Sequence, residues 1–194
     1  MTVDRPSPSG APLCAEEIAA LRRRIDRPVV LVGLMGTGKS SIGRKLALLL
    51  DLPFTDSDEA IEEAAKMPIT EIFEKYGEAP FRDGERRVIA RLMEQERGVI
   101  ATGGGAFVNA ETRALILDKG IAIWLDADVA TLVERVGRKD NRPLLRNGDP
   151  HSILTKLKAE RDPAYSQAPI HVKSESGPHE RTVMRILKAI DAWL

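Results

Sequence analysis

At 194 residues, 43% hydrophobic and 30% charged, the chain has the size and composition of one globular domain with a substantial core. Its 29 basic and 29 acidic side chains cancel, which excludes a global field that would hold it on nucleic acid or an anionic membrane, so any anion must be gripped locally. The lone cysteine, Cys14, excludes an intramolecular disulfide and has no metal-ligand spacing around it; with no secretory-type start and no bilayer-length apolar run, the expected location is the cytoplasm.

Residues 1–27 read as an N-terminal extension, partly disordered, carrying one helix over 15–24 whose role the sequence does not disclose. Pro28 disfavours helical backbone at Arg27 and so ends that helix. The working domain is expected over 28–194. Along it, short β-branched runs at 29–32, 54–56, 99–102, 121–125 and 170–172 read as strands buried on both faces. Between them the apolar period is helical. Ile42, Leu46, Leu49 and Leu50 share one helical face, as do Val129, Leu132, Val133 and Val136, and Val183, Ile186, Leu187 and Ile190. Strand–helix alternation predicts an α/β fold, a three-layer αβα sandwich around a five-stranded parallel sheet. Ligands in such folds sit beyond the carboxyl ends of the strands, so the residues that follow each apolar run carry the functional expectation.

The first run leads into Gly33-Leu34-Met35-Gly36-Thr37-Gly38-Lys39-Ser40, a G-x-x-x-x-G-K-[ST] loop between a strand and an amphipathic helix. Glycines let the backbone wrap closely, so successive N–H groups and the positive helix end converge on phosphate oxygens. Lys39 adds a full charge at the β and γ phosphates. Ser40 offers a hydroxyl oxygen to a Mg²⁺ bridging the same phosphates. A nucleoside triphosphate site is therefore expected, and the absence of N-K-x-D and D-x-x-G motifs argues against a guanine-nucleotide switch. The second run ends in Asp56-Ser57-Asp58, whose carboxylates an extended chain would point the same way. The third is followed by Gly103-Gly104-Gly105, where a ligand can approach the backbone directly.

The segments GLMGTGKSSIG, DSD, FEKYGEAPFRDGE, TGGG, NRPLL and RDPAY, in this order and spacing, resemble those of shikimate kinases from about Arg27 to the C-terminus. That resemblance implies a P-loop NTPase fold of the nucleoside monophosphate kinase type, with a substrate-binding segment over 57–97 and a lid over 137–149. It implies transfer of the ATP γ-phosphoryl to the 3-hydroxyl of shikimate with Mg²⁺ as cofactor. Lys39, Asp58 and Arg142 would be catalytic, and Gly33, Gly36, Thr37, Gly38, Lys39, Ser40, Ser41, Arg138 and Arg142 would bind ATP. Ser40 and Asp56 would hold the metal, Asp56 through a water. Arg82 and Arg161 would clamp the substrate carboxylate, with Asp58 on its hydroxyls, and Gly103, Gly104 and Gly105 would approach it. Glu85 would hold an arginine in place, and Phe73 and Phe81 would wall the pocket. ATP and shikimate are the expected partners of a monomer, with no nucleic acid and no membrane. Lys173 departs from the family pattern, which places an acid there near the adenine. The competing expectations are a related small-metabolite kinase, such as gluconate kinase, and a non-catalytic ATP-binding regulator.

Overall fold

The five apolar runs become five strands in the computed structural model, which describes residues 13–94, 97–137 and 148–194. These are β1 (Val29–Val32), β2 (Phe54–Asp56), β3 (Val99–Ala101), β4 (Ile121–Asp126) and β5 (Ile170–Lys173), in the order β2-β3-β1-β4-β5 with every pairing parallel. Parallel strands need crossovers, and helices supply them: α2 (Lys39–Leu50), α3 (Ser57–Ala65), α4 (Ile69–Tyr76), α5 (Glu78–Leu92), α6 (Ala110–Lys119), α7 (Val129–Gly137) and α8 (Pro150–Tyr165), while α1 (Ala15–Arg24) precedes β1 and α9 (His179–Trp193) follows β5. Thr102 lies just past β3, yet its N–H and its hydroxyl both donate to Leu31 O, at 3.1 and 3.0 Å, extending the pairing by one residue.

Successive strand residues face opposite layers, which divides the interior into two cores. Val30, Val32, Ile100 and Ala122 face one core, closed by α3 to α8 through Ile61, Ile89, Phe107, Ile116, Leu132 and Leu154. Val29, Leu31, Val99 and Ile123 face the other, closed by α1, α2 and α9. On α2 the buried row is Ile42, Leu46 and Leu50 with Gly43 and Ala47. Leu49 does not share it: the residue is 46% exposed, because one step from Leu50 turns a side chain about 100° around the helix. The predicted faces of α7 and α9 form as expected, with Val183, Ile186, Leu187 and Ile190 all buried.

Helix α1 acquires a role that its sequence did not disclose. Leu21 and Ile25 are fully buried in the second core, and Arg24 bonds Asp191 on α9 at 2.5 Å. Burying two such side chains contributes about 3–6 kcal/mol, far more than the exposed ion pair.

The strand order places the functional loops. The connection leaving β1 runs through α2 on one face of the sheet, whereas that leaving β3 runs through α6 on the other. The chain ends of these neighbouring strands therefore splay apart, opening a crevice at the switch point.

Candidate active site

The loop after β1 is built by its glycines and by Thr37. Gly33 lies at φ +137°, and a Cβ there would collide with the carbonyl oxygen of Leu125 on β4, so only glycine lets the loop leave the sheet this way. Gly38, at φ +92°, caps α2 in the left-handed region, and the Thr37 hydroxyl closes the loop on Leu34 O at 2.8 Å. No acidic side chain occupies the first turn of α2, so its positive end faces the crevice without compensation. Lys39 is buried, its Nζ donating to Gly33 O and Leu34 O at 2.8 Å each, which arches the side chain over the loop. Ser41, the second residue of α2 after Lys39, lies on the exposed side of that first turn.

The two aspartates after β2 are brought together by a helix start and not by extended chain. The backbone turns into α3 at Ser57, and Asp56 caps that helix by accepting the Asp58 N–H at 3.0 Å. The other Asp56 oxygen accepts from Ser40 Oγ at 2.6 Å, linking β2 to the phosphate loop. Burial, and then the neighbouring Asp56 charge, push the Asp58 carboxyl up to about 6, with Lys39 pulling the other way.

The triple glycine after β3 lies between these two loops, because β3 lies between β2 and β1. Gly103 N donates to Ser57 Oγ at 3.1 Å, and a Cβ on Gly103 would come 2.6 Å from Asp58 Oδ1. A Cβ on Gly104 would lie 3.4 Å from Met35 N and 3.7 Å from Arg161 Nη1, so phosphate loop, triple glycine and Arg161 share one space. Arg161 Nη1 donates to Gly104 O at 3.2 Å, and the buried Tyr165 hydroxyl donates to the same carbonyl. Arg82 is held by Glu85 at 2.7 Å and Glu78 at 3.3 Å. Glu85 is 1% exposed; burial pushes its carboxyl up and Arg82 pulls it back. Phe81 and Phe73 pack with ring centroids 4.4 Å apart and planes tilted by 35°, and the Arg82 guanidinium lies 5.1 Å from the Phe81 ring. Phe81 thereby belongs to the core as well as lying under the arginine.

A Cβ on Gly105 would meet both Arg82 Nη atoms at 2.5 Å. Gly105→Ala is therefore expected to push the guanidinium aside and raise KM for an acidic substrate about tenfold, one charged hydrogen bond's worth, with KM for ATP unchanged. Steady-state kinetics with each substrate varied checks this. An unchanged acceptor KM would show that Arg82 does not touch the acceptor.

Two further residues gain a place that sequence reasoning did not assign. Arg135 on α7 donates to Gly36 O and Thr37 O, both at 3.4 Å, to Ser174 Oγ at 2.9 Å and to Glu175 O at 2.6 Å. It ties the phosphate loop to the turn after β5, and its partners lie too far away in sequence for any local pattern to mark it. Tyr165 sits inside the quoted RDPAY segment, whose expected role rested on Arg161 alone. Lys173 is largely exposed, 3.9 Å from Asp126, and His179 lies beside Gly38 at the start of α9. Arg138, Arg142 and most of the expected lid lie outside the described residues.

Ser40 and Asp56 present a hydroxyl and a carboxylate at 2.6 Å from each other, hard oxygen donors of the kind Mg²⁺ takes. Among the described residues no group of three or more His, Cys, Asp or Glu side chains could cage a metal alone. That fits an ion held mainly by nucleotide phosphates and water. Among the same residues no helix is long and apolar enough to cross a membrane.

Comparisons with known proteins identify the family. The shikimate kinase family model matches residues 35–191. A shikimate kinase of Novosphingobium aromaticivorans is 63% identical over 186 residues, covering 94% of this chain and 96% of its own. The structure of the Acinetobacter baumannii shikimate kinase in complex with shikimate superposes with a TM-score of 0.83 at 36% identity, covering 88% of this chain and 97% of that one. A gluconokinase from Sinorhizobium meliloti shares the fold alone, with a TM-score of 0.59 at 19% identity over 87% of this chain and 94% of its own. With a phosphate loop, an aspartate pair and two arginines gathered around one triple glycine, and with matches spanning nearly the whole domain, the chain belongs to the shikimate kinase family.

Proposed function

We infer that this chain transfers the γ-phosphoryl group of ATP to the 3-hydroxyl of shikimate. The observation that carries the reading is the row formed by β2, β3 and β1: Asp58, then the triple glycine with Arg82 and Arg161 beside it, then the phosphate loop. A triphosphate tail fits the N–H nest and Lys39, and a hydroxylated acid fits the arginines and Asp58.

In this reading Arg82 and Arg161 pair with the acceptor carboxylate, each charged hydrogen bond contributing on the order of 1.5–3 kcal/mol. Glu85 and Glu78 fix the Arg82 fork beforehand, so little side-chain freedom is lost on binding. The acceptor hydroxyl then meets Asp58, whose pKa of about 6 leaves it ionised at neutral pH yet basic enough to take the hydroxyl proton as the phosphoryl group arrives. Ser40 and Asp56 would hold Mg²⁺, which would supply positive charge to offset that of the phosphates. Lys39 holds the β and γ oxygens. Arg135 steadies the phosphate loop through Gly36 O and Thr37 O, Arg142 would supply positive charge as the phosphoryl group leaves, and Arg138 would stack on the adenine.

The test is a coupled ADP-release assay. Shikimate is expected to stimulate release at least tenfold over the ATP-only background, and gluconate to leave it unchanged. Stimulation by gluconate and not by shikimate would move the acceptor assignment. Tight ATP binding without transfer to either would make the chain a nucleotide-binding regulator.

A further inference from the structure

We propose that Lys158 is a positioning residue that sets the acceptor-clamping end of α8. Its Nζ bridges two carboxylates from different elements, Asp126 at the end of β4 at 2.5 Å and Asp162 on α8 at 2.8 Å, while lying 5.5 Å over the ring of Trp124. All three charged side chains are largely shielded, with 22%, 19% and 30% of their surfaces exposed. This is a half-buried ionic link and not a solvated surface pair.

Its place on the helix gives it leverage. Asp162 directly follows Arg161, and one turn later comes Tyr165; both Arg161 and Tyr165 converge on Gly104 O. Pro163 lies inside this turn and removes a backbone N–H, so the turn that carries the clamp lacks one helical hydrogen bond. The Lys158–Asp162 link spans that turn, and the Lys158–Asp126 link fastens it to the sheet. Trp124, packed under the lysine, is 6.1 Å from the Tyr165 ring, and its Cδ1 lies 3.4 Å from where a Cβ on Gly33 would stand. The link thus ties the clamp to the strand that borders the phosphate loop. One oxygen of Asp162 is buried without a hydrogen-bond partner, so the lysine is the main counterweight to that carboxylate. Without it, two shielded acids would face each other and the turn would shift.

The proposal rests on shikimate as acceptor, which the ADP-release assay on the unaltered chain decides separately. Lys158→Met keeps the length and removes the charge. It is expected to raise KM for shikimate about tenfold through displacement of Arg161, with KM for ATP within about twofold of the parent. Lys158→Arg, which restores the cation, is expected to return KM for shikimate to within about threefold. Circular dichroism confirms folding of each variant. Equal rises in both KM values, or an unchanged KM for shikimate in folded Lys158→Met, would overturn the proposal. Should Lys158→Met fail to fold, Asp162→Asn breaks only the link across the turn and is judged by the same split: a selective rise in KM for shikimate supports the proposal, and its absence rejects it.

Discussion

Replacing Lys39 by alanine is expected to lower kcat/KM by about 10²- to 10⁴-fold, with the protein still folded. In the proposed reading the lysine makes charged hydrogen bonds to the β and γ phosphates, each contributing on the order of 1.5–3 kcal/mol. Two of them amount to about 3–6 kcal/mol, and each 1.4 kcal/mol is a factor of ten. The fold is expected to survive because water can donate to the loop carbonyls of Gly33 and Leu34 once the ammonium group is gone. Lys39→Arg keeps the charge but presents a planar fork to a site shaped for an ammonium group, so little activity should return. Steady-state kinetics together with direct ATP titration separates lost binding from lost turnover. A variant retaining more than about a third of the parent kcat/KM would remove Lys39 from the reaction.

Asp58→Asn is expected to move activity and stability in opposite directions. Turnover should fall about 10²- to 10⁴-fold, the usual contribution of a positioned base. In the unaltered enzyme kcat/KM for shikimate should drop below pH of about 6 as the carboxylate takes up a proton, and this acid limb should be missing from the variant's residual activity. For stability, the folded-state pKa of about 6 lies above the ordinary 3.8. Between those values the native state binds the proton and the unfolded chain does not, so stability falls as pH rises from about 4 to 6. At neutral pH the buried charge therefore costs the ligand-free protein on the order of 2 kcal/mol, after allowing for partial exposure. Asparagine removes that cost. Thermal melts at pH 7.5 should place the variant several degrees above the parent, with the gap narrowing as pH falls through about 6 and closing below about 4. A variant less stable than the parent at pH 7.5 would show that Asp58 is held by favourable partners and not strained by burial.

Much of the site was legible because its chemistry is contiguous. The phosphate loop, DSD and the triple glycine each occupy a few consecutive residues just after a run that is apolar on both faces, and strand ends in a parallel sheet are where ligands bind. Arg135 and Lys158 were illegible for the opposite reason. Arg135 touches residues 36, 37, 174 and 175; the i,i+4 pair of Lys158 with Asp162 is local, but its reach back to Asp126, which ties α8 to the sheet, is not. The aspartate pair was found for its spacing, but its geometry came from the start of α3, which a three-residue strand does not announce. Leu49 joined the wrong face because apolar character was counted without the rotation that α2 takes against the sheet.

By itself, the order of residues determined the strands, most helix faces and the G-x-x-x-x-G-K-[ST] loop. These depend on backbone preferences and on side chains within one or two turns of each other. Only the folded chain decided that β3 inserts between β2 and β1, that α1 closes the second core, and that α8 brings Arg161 and Tyr165 onto Gly104. Those outcomes depend on which face each crossover helix covers and on filling both cores at once, a balance of burial across the whole domain that no short stretch of sequence contains.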